Sequence, residues 1–159
     1  MTQSGFNKDS IAIVLNGGNG ITGVLKVASN YSSTAAGNRA HFIAGACYLH
    51  NKDFNNAVKH LKDFSTPSKQ PQSASYRMLG DAYSELKNYD QAISYYLKAA
   101  DNKPNIFTTP MYLQKAGLIY EYQKDFTKAL DMYSRIKRDY SNSAQSRDID
   151  KFIARVQQH

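Results

Sequence analysis

One six-position pattern occurs three times in this chain, and no other feature of the sequence restricts the fold as strongly. Its members are Gly45, Tyr48, Phe54, Ala57, Leu61 and Phe64; then Gly80, Tyr83, Tyr89, Ala92, Tyr96 and Ala99; then Gly117, Tyr120, Phe126, Ala129, Tyr133 and Ile136. Counted from the glycine, the offsets are 3, 9, 12, 16 and 19 in every copy, and successive glycines lie 35 and 37 residues apart. A unit of this length cannot bury its apolar face alone and does so by stacking on the next copy. Stacked helical hairpins are therefore the expected architecture.

The middle copy shows how each unit is built. Residues 73–86 carry Tyr76, Leu79, Ala82, Tyr83 and Leu86 at the three-and-four spacing of a helix. Residues 87–90 read as the turn, with Asn88 expected in the left-handed region at the helix end and Asp90 as the next N-cap. The second helix then covers 91–100, with Ala92, Ile93, Tyr96, Leu97 and Ala100 inward, and Pro104 closes the unit. On the same reading the first unit has helices at 38–50 and 55–64, with a turn at 51–53. The third has helices at 110–123 and 127–140, with a turn at Lys124 and Asp125. Pro110 stands where helix N-termini favour proline.

Residues 65–71, polar and containing Pro67 and Pro71, read as a connection, and 105–109 as a shorter one. Residues 143–158 read as one amphipathic helix with Ala144, Ile149, Phe152, Ile153 and Val156 on its apolar side, covering the last exposed face. The expected organisation is a single domain: a degenerate half-repeat at 1–37, units at 38–71, 73–106 and 110–142, and a cap at 143–159. In the half-repeat, an apolar run at 11–15 precedes a Gly-rich turn at 16–20 and helical spacing at Val24, Leu25, Val27 and Ala28. The β-branched run leaves a short strand at 11–15 as an alternative.

Composition removes several function classes. Apolar content of 42% and charged content of 21% mark a folded chain, not a disordered one. Twelve Tyr without Trp suit thin layers in which a ring is buried while its hydroxyl reaches a partner. The charge is +7, from 20 basic and 13 acidic residues, a mild bias toward acidic partners. The densest basic run, Arg135, Lys137 and Arg138, is too short for a nucleic-acid arm, so nucleic-acid binding is the weakest functional reading. The single cysteine, Cys47, excludes an internal disulfide and lies on an apolar stripe, where it is expected to be a small buried hydrophobe. No segment approaches the ~18 apolar residues of a membrane span, and no signal-peptide pattern is present.

The repeated positions resemble the tetratricopeptide repeat (TPR) over about residues 38–140. The resemblance implies an all-α fold: a right-handed superhelical solenoid of helical hairpins with a C-terminal capping helix. It also implies a non-catalytic protein-interaction role. In such repeats Gly45, Gly80 and Gly117, with Ala57, Ala92 and Ala129, let paired helices cross closely, while Tyr48, Tyr83 and Tyr120 fill space between hairpins. Pro104 matches the terminal proline, and Ser141 stands in its place in the third unit. The usual early Trp is replaced by His41, Tyr76 and Leu113.

A narrower similarity rests on the Asn-Gly interruption, the entry at 36–38, the linker at 107–110 and the tail at 147–151. These are similar to envelope TPR proteins of Bacteroidetes-type bacteria, single-pass proteins that accompany the Sec translocon. That resemblance implies a periplasmic or cell-envelope location and association with membrane secretion machinery. Anchorage would require a helix upstream of Met1, and the cytoplasm is the alternative.

TPR arrays bind ligands on the concave face formed by the first helix of each hairpin. The resemblance places that face at Arg39, Phe42, Ala46, Leu49 and His50; at Ala74, Arg77, Asp81, Ser84 and Glu85; and at Met111, Gln114, Leu118, Glu121 and Tyr122. Such a face suits an apolar or amphipathic peptide, with Arg39, Arg77, Asp81 and Glu121 setting its orientation. Phe42, Leu49 and Leu118 can equally pack on the N-terminal segment or on another copy, which makes a homo-oligomerisation module the alternative. Asp81 stands where a chaperone-tail clamp requires Asn, so that specialisation is not expected.

No catalytic site, metal or cofactor is expected. His41, His50, His60 and His159 lack metal-ligand spacing with acidic partners. The turn at 16–20 lacks the Lys-Ser/Thr of a phosphate loop, and Glu85 and Glu121 read as solvated charges, not as an acid/base couple.

Overall fold

In each repeat a lysine turns the chain. Lys52, Lys87 and Lys124 adopt φ values of 60°, 58° and 62°, in the left-handed region. They sit at the C′ position of a Schellman ending, in which two backbone N–H groups satisfy helix-terminal carbonyls. Lys52, Lys87 and Lys124 donate to the carbonyls of Leu49, Ser84 and Glu121, and the residues that follow them donate to Tyr48, Tyr83 and Tyr120. Those following residues, Asp53, Asn88 and Asp125, are also the N-caps of the next helices. Their side chains accept from Asn56, Gln91 and Lys128 N–H at 3.2, 3.4 and 3.1 Å. In the middle unit this corrects the expected turn: Lys87, not Asn88, is left-handed, and Asn88, not Asp90, caps. Asp90 lies in the first turn of the new helix, where negative charge favours the helix dipole.

The structure is a computed structural model that describes residues 8–18 and 20–159. The polar start at 1–5 and Asn19 of the Gly-rich turn lie outside the described residues. The chain forms two compact units, Met1–Thr66 and Pro67–His159.

The first unit contains α1 (Lys8–Asn16), β1 (Gly17–Gly18), β2 (Ile21–Thr22), α2 (Val24–Asn30), α3 (Ala35–His50) and α4 (Phe54–Asp63). The apolar run at 11–15 is helical, which removes the strand alternative. Ile11 and Leu15 are buried with Ala44 and Cys47. The Gly-rich turn forms a minimal antiparallel pair, Gly17 opposite Thr22 and Gly18 opposite Ile21. Gly17 has φ +84°, and a Cβ there would lie 2.3 Å from the Ile21 carbonyl oxygen, so only glycine fits. Helices α1 and α2 both pack on α3, and α3 pairs with α4. Asn38 ties down the end of the hairpin, donating to Ser65 O at 2.8 Å and accepting from Ser65 N at 3.0 Å.

The second unit contains α5 (Lys69–Glu85), α6 (Tyr89–Asn102), α7 (Thr109–Tyr122), α8 (Phe126–Asp139), a 3-10 turn (Gln145–Asp148) and α9 (Ile149–Val156). It is a two-hairpin stretch of solenoid: α5 pairs with α6, α6 packs on α7, α7 pairs with α8, and α9 covers α8. Helix α5 begins at Lys69, inside the expected 65–71 connection, because Pro71 falls in its first turn, where no intrahelical N–H bond is needed. Leu86, expected to continue the apolar rhythm of the helix at 73–86, is instead the exposed C-cap of α5. The cap is not one continuous helix: a 3-10 turn precedes α9, Ser143 Oγ accepts from Ser146 N, and Ala144 is exposed while Ser143 is buried. Ile149 and Val156 still reach the core.

Glycine and ring interlock at the helix crossings. A Cβ on Gly80 would lie 2.7 Å from the Tyr96 ring, and one on Gly117 would lie 2.5 Å from the Tyr133 ring. Ala57, Ala92 and Ala129 are fully buried. The repeated residues thus hold paired helices at close range, and the side chains between them decide what each hairpin presents.

Candidate functional site

Four charged side chains of α5 and α7, Arg77, Asp81, Lys115 and Glu121, are engaged within the protein. Asp81 accepts from Arg77 Nη1 at 2.6 Å, from Lys115 Nζ at 2.7 Å and from the Tyr96 hydroxyl at 2.7 Å. Glu121 accepts from the Tyr133 hydroxyl and from Arg155, through Nε at 2.8 Å and Nη2 at 2.7 Å. The two clusters share one design. A carboxylate on the first helix meets the buried Tyr of its own second helix and a cation supplied 34 residues later. Burial, with the neighbouring carboxylate, pushes both the Tyr96 and Tyr133 hydroxyls well up, so they remain donors. Burial acts to raise Glu121, but the hydrogen bonds from Arg155 and Tyr133 and the Arg155 charge outweigh it and hold the carboxyl below its ordinary value.

These bonds determine what the expected binding residues of the second unit offer. Arg77, Asp81 and Glu121, expected to orient a ligand, already have protein partners. Glu85 is exposed, and Gln114 is half-buried. The Lys115–Asp81 bond joins α7 to the expected face of α5. Along α7, Leu118 is 44% exposed and Tyr122, one turn on, is 70% exposed. Tyr122 leans on the Tyr89 ring at 4.9 Å.

A cleft of about 450 Å³ opens beside α5, lined by Ala74, Arg77, Tyr112 and Phe107 among others. Phe107 is 81% exposed, yet its loop is firmly built. Asn105 Oδ1 accepts from Phe107 N at 2.9 Å and Thr108 N at 2.8 Å, and its amide donates to Lys103 O and Thr108 Oγ1. Sequence reasoning passed over Phe107 as a binding residue. The signal was an Asn two positions before an aromatic in a connecting loop, an Asx turn that fixes a side chain outward.

In the first unit, Arg39 and His50 are exposed, while Phe42 and Leu49 are half-buried. Phe42 packs on the buried Phe64 ring at 4.9 Å, so it belongs partly to the hairpin core. Ile43, which the repeat offsets did not select, is the more exposed apolar residue of α3, at 42%. With Phe42, Ala46, Cys47 and His50 it lines an apolar cavity of about 410 Å³, completed by Ile11 and Val14 of α1. Phe42 thus shares that cavity with α1 of the N-terminal segment. Burial pushes the Cys47 thiol up, away from nucleophilic character. Among the described residues, no group of three or more His, Cys, Asp or Glu is placed to hold a metal ion.

This is the geometry of a helical-repeat protein, and the comparison with known families agrees. Residues 73–106 and 112–143 each match the tetratricopeptide repeat, so the second unit carries two TPR motifs, a type of repeat that generally serves as a non-catalytic scaffold. The chain is also similar to an uncharacterized protein, ycf37, of Guillardia theta, with 31% identity over 103 residues. The match covers 62% of this chain and 56% of that relative, so the chain spans little more than half the length of the protein it resembles. No helix among the described residues is long and apolar enough to cross a membrane.

Proposed function

We propose that the chain binds a peptide or partner protein through apolar anchors on the first helices of its repeats, chiefly Leu118 and Tyr122 of α7. The observation that carries this reading is the contrast along α7. Its carboxylate is engaged internally by Tyr133 and Arg155, whereas Leu118 and Tyr122 stand exposed on a matched repeat. Exposed apolar side chains on an ordered helix mark contact surfaces, and tyrosine is among the residues enriched at binding hot spots. Phe107, held out by Asn105, supplies a further aromatic in the same unit. Because nearby charges already have partners, recognition is apolar and only weakly salt-dependent, unlike nucleic-acid binding.

The envelope location and an association with secretion machinery are supported by the family resemblance of the sequence, and fractionation of cells that make the native protein reads the location directly. Binding is tested by selecting displayed amphipathic peptides against the full chain, then measuring a selected peptide against Leu118→Glu with Tyr122→Ser. The expected result is at least a tenfold loss of affinity, consistent with loss of hot-spot anchors, with an unchanged thermal melt. Unaltered affinity in that variant places the contact elsewhere.

A further inference from the structure

Of positions −4, +3 and +15 from each repeat glycine, only +3 holds the same residue, Tyr, in all three hairpins. In the second hairpin they are Tyr76, Tyr83 and Tyr95. Tyr83 stacks on Tyr95 at 5.5 Å and 9°, and Tyr76 lies tilted on Tyr95 at 6.1 Å. In the third hairpin, −4 and +15 are Leu113 and Met132, both buried. In the first they are His41 and His60, with Tyr48 stacked on His60 at 5.5 Å. The two imidazoles meet nitrogen to nitrogen, Nδ1 to Nδ1, at 3.1 Å.

That contact requires one ring to donate an N–H and the other to offer a lone pair. It survives with both rings neutral, and it survives one added proton, since an imidazolium still donates to a neutral imidazole. A second proton removes the lone pair and sets two donors and two positive charges face to face. The His41 side chain is only 13% exposed, so it cannot turn its charge to water without leaving the hairpin.

The surrounding charges do not rescue the doubly protonated pair. Protonation of His60 is opposed first by burial, then by His41 and Lys59, and favoured only by Asp63, which leaves it below its ordinary value. The Asp63 carboxylate is 3.8 Å from His41 Nδ1 and 57% exposed, where solvent weakens its field. Charged or titratable side chains elsewhere on the elements packed here include Asp9 on α1, Lys26 on α2, and Arg39, His50, Asp53 and Lys62 of the hairpin region.

We propose that the His41–His60 contact is an acid-responsive latch. It closes α3 on α4 while the pair holds at most one extra proton, and protonation of the second imidazole forces it open. The direction follows from proton binding in the two states. An unfolded His takes its proton near about pH 6.5, and folded His60 takes it less readily. The latch therefore contributes fully above about pH 6.5, and its stabilisation is lost as the pH falls through that value toward the depressed folded one. The corresponding positions of the second unit carry Tyr, Leu and Met, and no imidazole.

Amide hydrogen exchange on the full chain tests this by comparing protection factors in α4 and α8 at about pH 7.5 and about pH 5. The expected result is a fall of roughly tenfold or more in α4 protection relative to α8. In the variant His41→Tyr with His60→Tyr, which installs the pair of the second hairpin, the ratio holds. A constant ratio in the unaltered chain, or an equal fall in the variant, overturns the latch. Ring-nitrogen NMR of the unaltered chain gives an independent reading. One imidazole staying neutral to well below pH 6 supports the latch, whereas two independent titrations near about pH 6.5 overturn it.

Discussion

In the third hairpin, α7 and α8 close over Leu113, Met132 and Tyr133, with Glu121 bound to Tyr133 and to Arg155 of α9. In the first hairpin, α3 and α4 close over Leu61, the Phe42–Phe64 ring pair and two touching imidazoles. Both use the same glycine, the same small alanine and the same lysine-centred turn. The backbone arrangement is therefore set by the shared positions, and the residues between them are free to carry something else. In the third hairpin that freedom supplies a closed carboxylate–tyrosine–arginine cluster and an exposed Leu118–Tyr122 row. In the first it supplies a contact that depends on protonation.

Four variants break or sharpen this contrast. Tyr133→Ala removes the ring that fills the space over Gly117 and should cost about 3–5 kcal/mol in urea unfolding, as expected for loss of a buried aromatic. Leu113→His with Met132→His transplants the imidazole pair into the third hairpin. It should cost about 2–4 kcal/mol near neutral pH and more below about pH 6.5, so that acid sensitivity moves with the pair.

Tyr133→Phe keeps the packing and removes one donor to Glu121, with an expected loss of about 1 kcal/mol. Its pH dependence has a definite sign. A carboxyl held below its unfolded value stabilises the fold above about pH 4.3 and loses that contribution as the pH falls through the folded value. The gap between the unaltered chain and Tyr133→Phe should therefore narrow in acid. The smallest effect is a gain: Lys87→Gly relieves a left-handed lysine, offset by the greater unfolded-state freedom of glycine, and should raise stability by about 0.5–1 kcal/mol. A calorimetric melt reads it.

Much of the fold was legible because the repeat offsets recur without error. They located each helix pair and assigned the glycine and alanine positions at the close helix crossings. Tyr48 and Tyr83, expected between hairpins, stack on His60 and Tyr95 of their own hairpins. The misreadings were local. Pro71 looked like a loop residue because a first-turn proline and a linker proline are alike in sequence. Lys87 carries no local sign of its turn role, because lysine has no intrinsic preference for positive φ. It is the recurrence at Lys52, Lys87 and Lys124, seven positions after each glycine, that marks the role.

The candidate site was less legible. Asp81 and Glu121 look like free groove charges until Lys115 and Arg155, each 34 residues downstream, are brought beside them. Such ion pairs have no local trace in sequence; their one signature is the shared spacing of 34, close to one repeat. His41 and His60 are 19 residues apart, a spacing that does not relate them in sequence, and only the crossing of α3 and α4 joins them.

The central claim is that partner binding uses the exposed row on α7, and site-specific photo-crosslinking in the native cell tests it most directly. A photoreactive residue placed at Tyr122 should form a discrete protein adduct that disappears when Leu118→Glu is added, while the same label at the exposed Gln91 of α6 forms none. Equal adducts from both positions, or an adduct at Tyr122 indifferent to Leu118→Glu, would contradict the account.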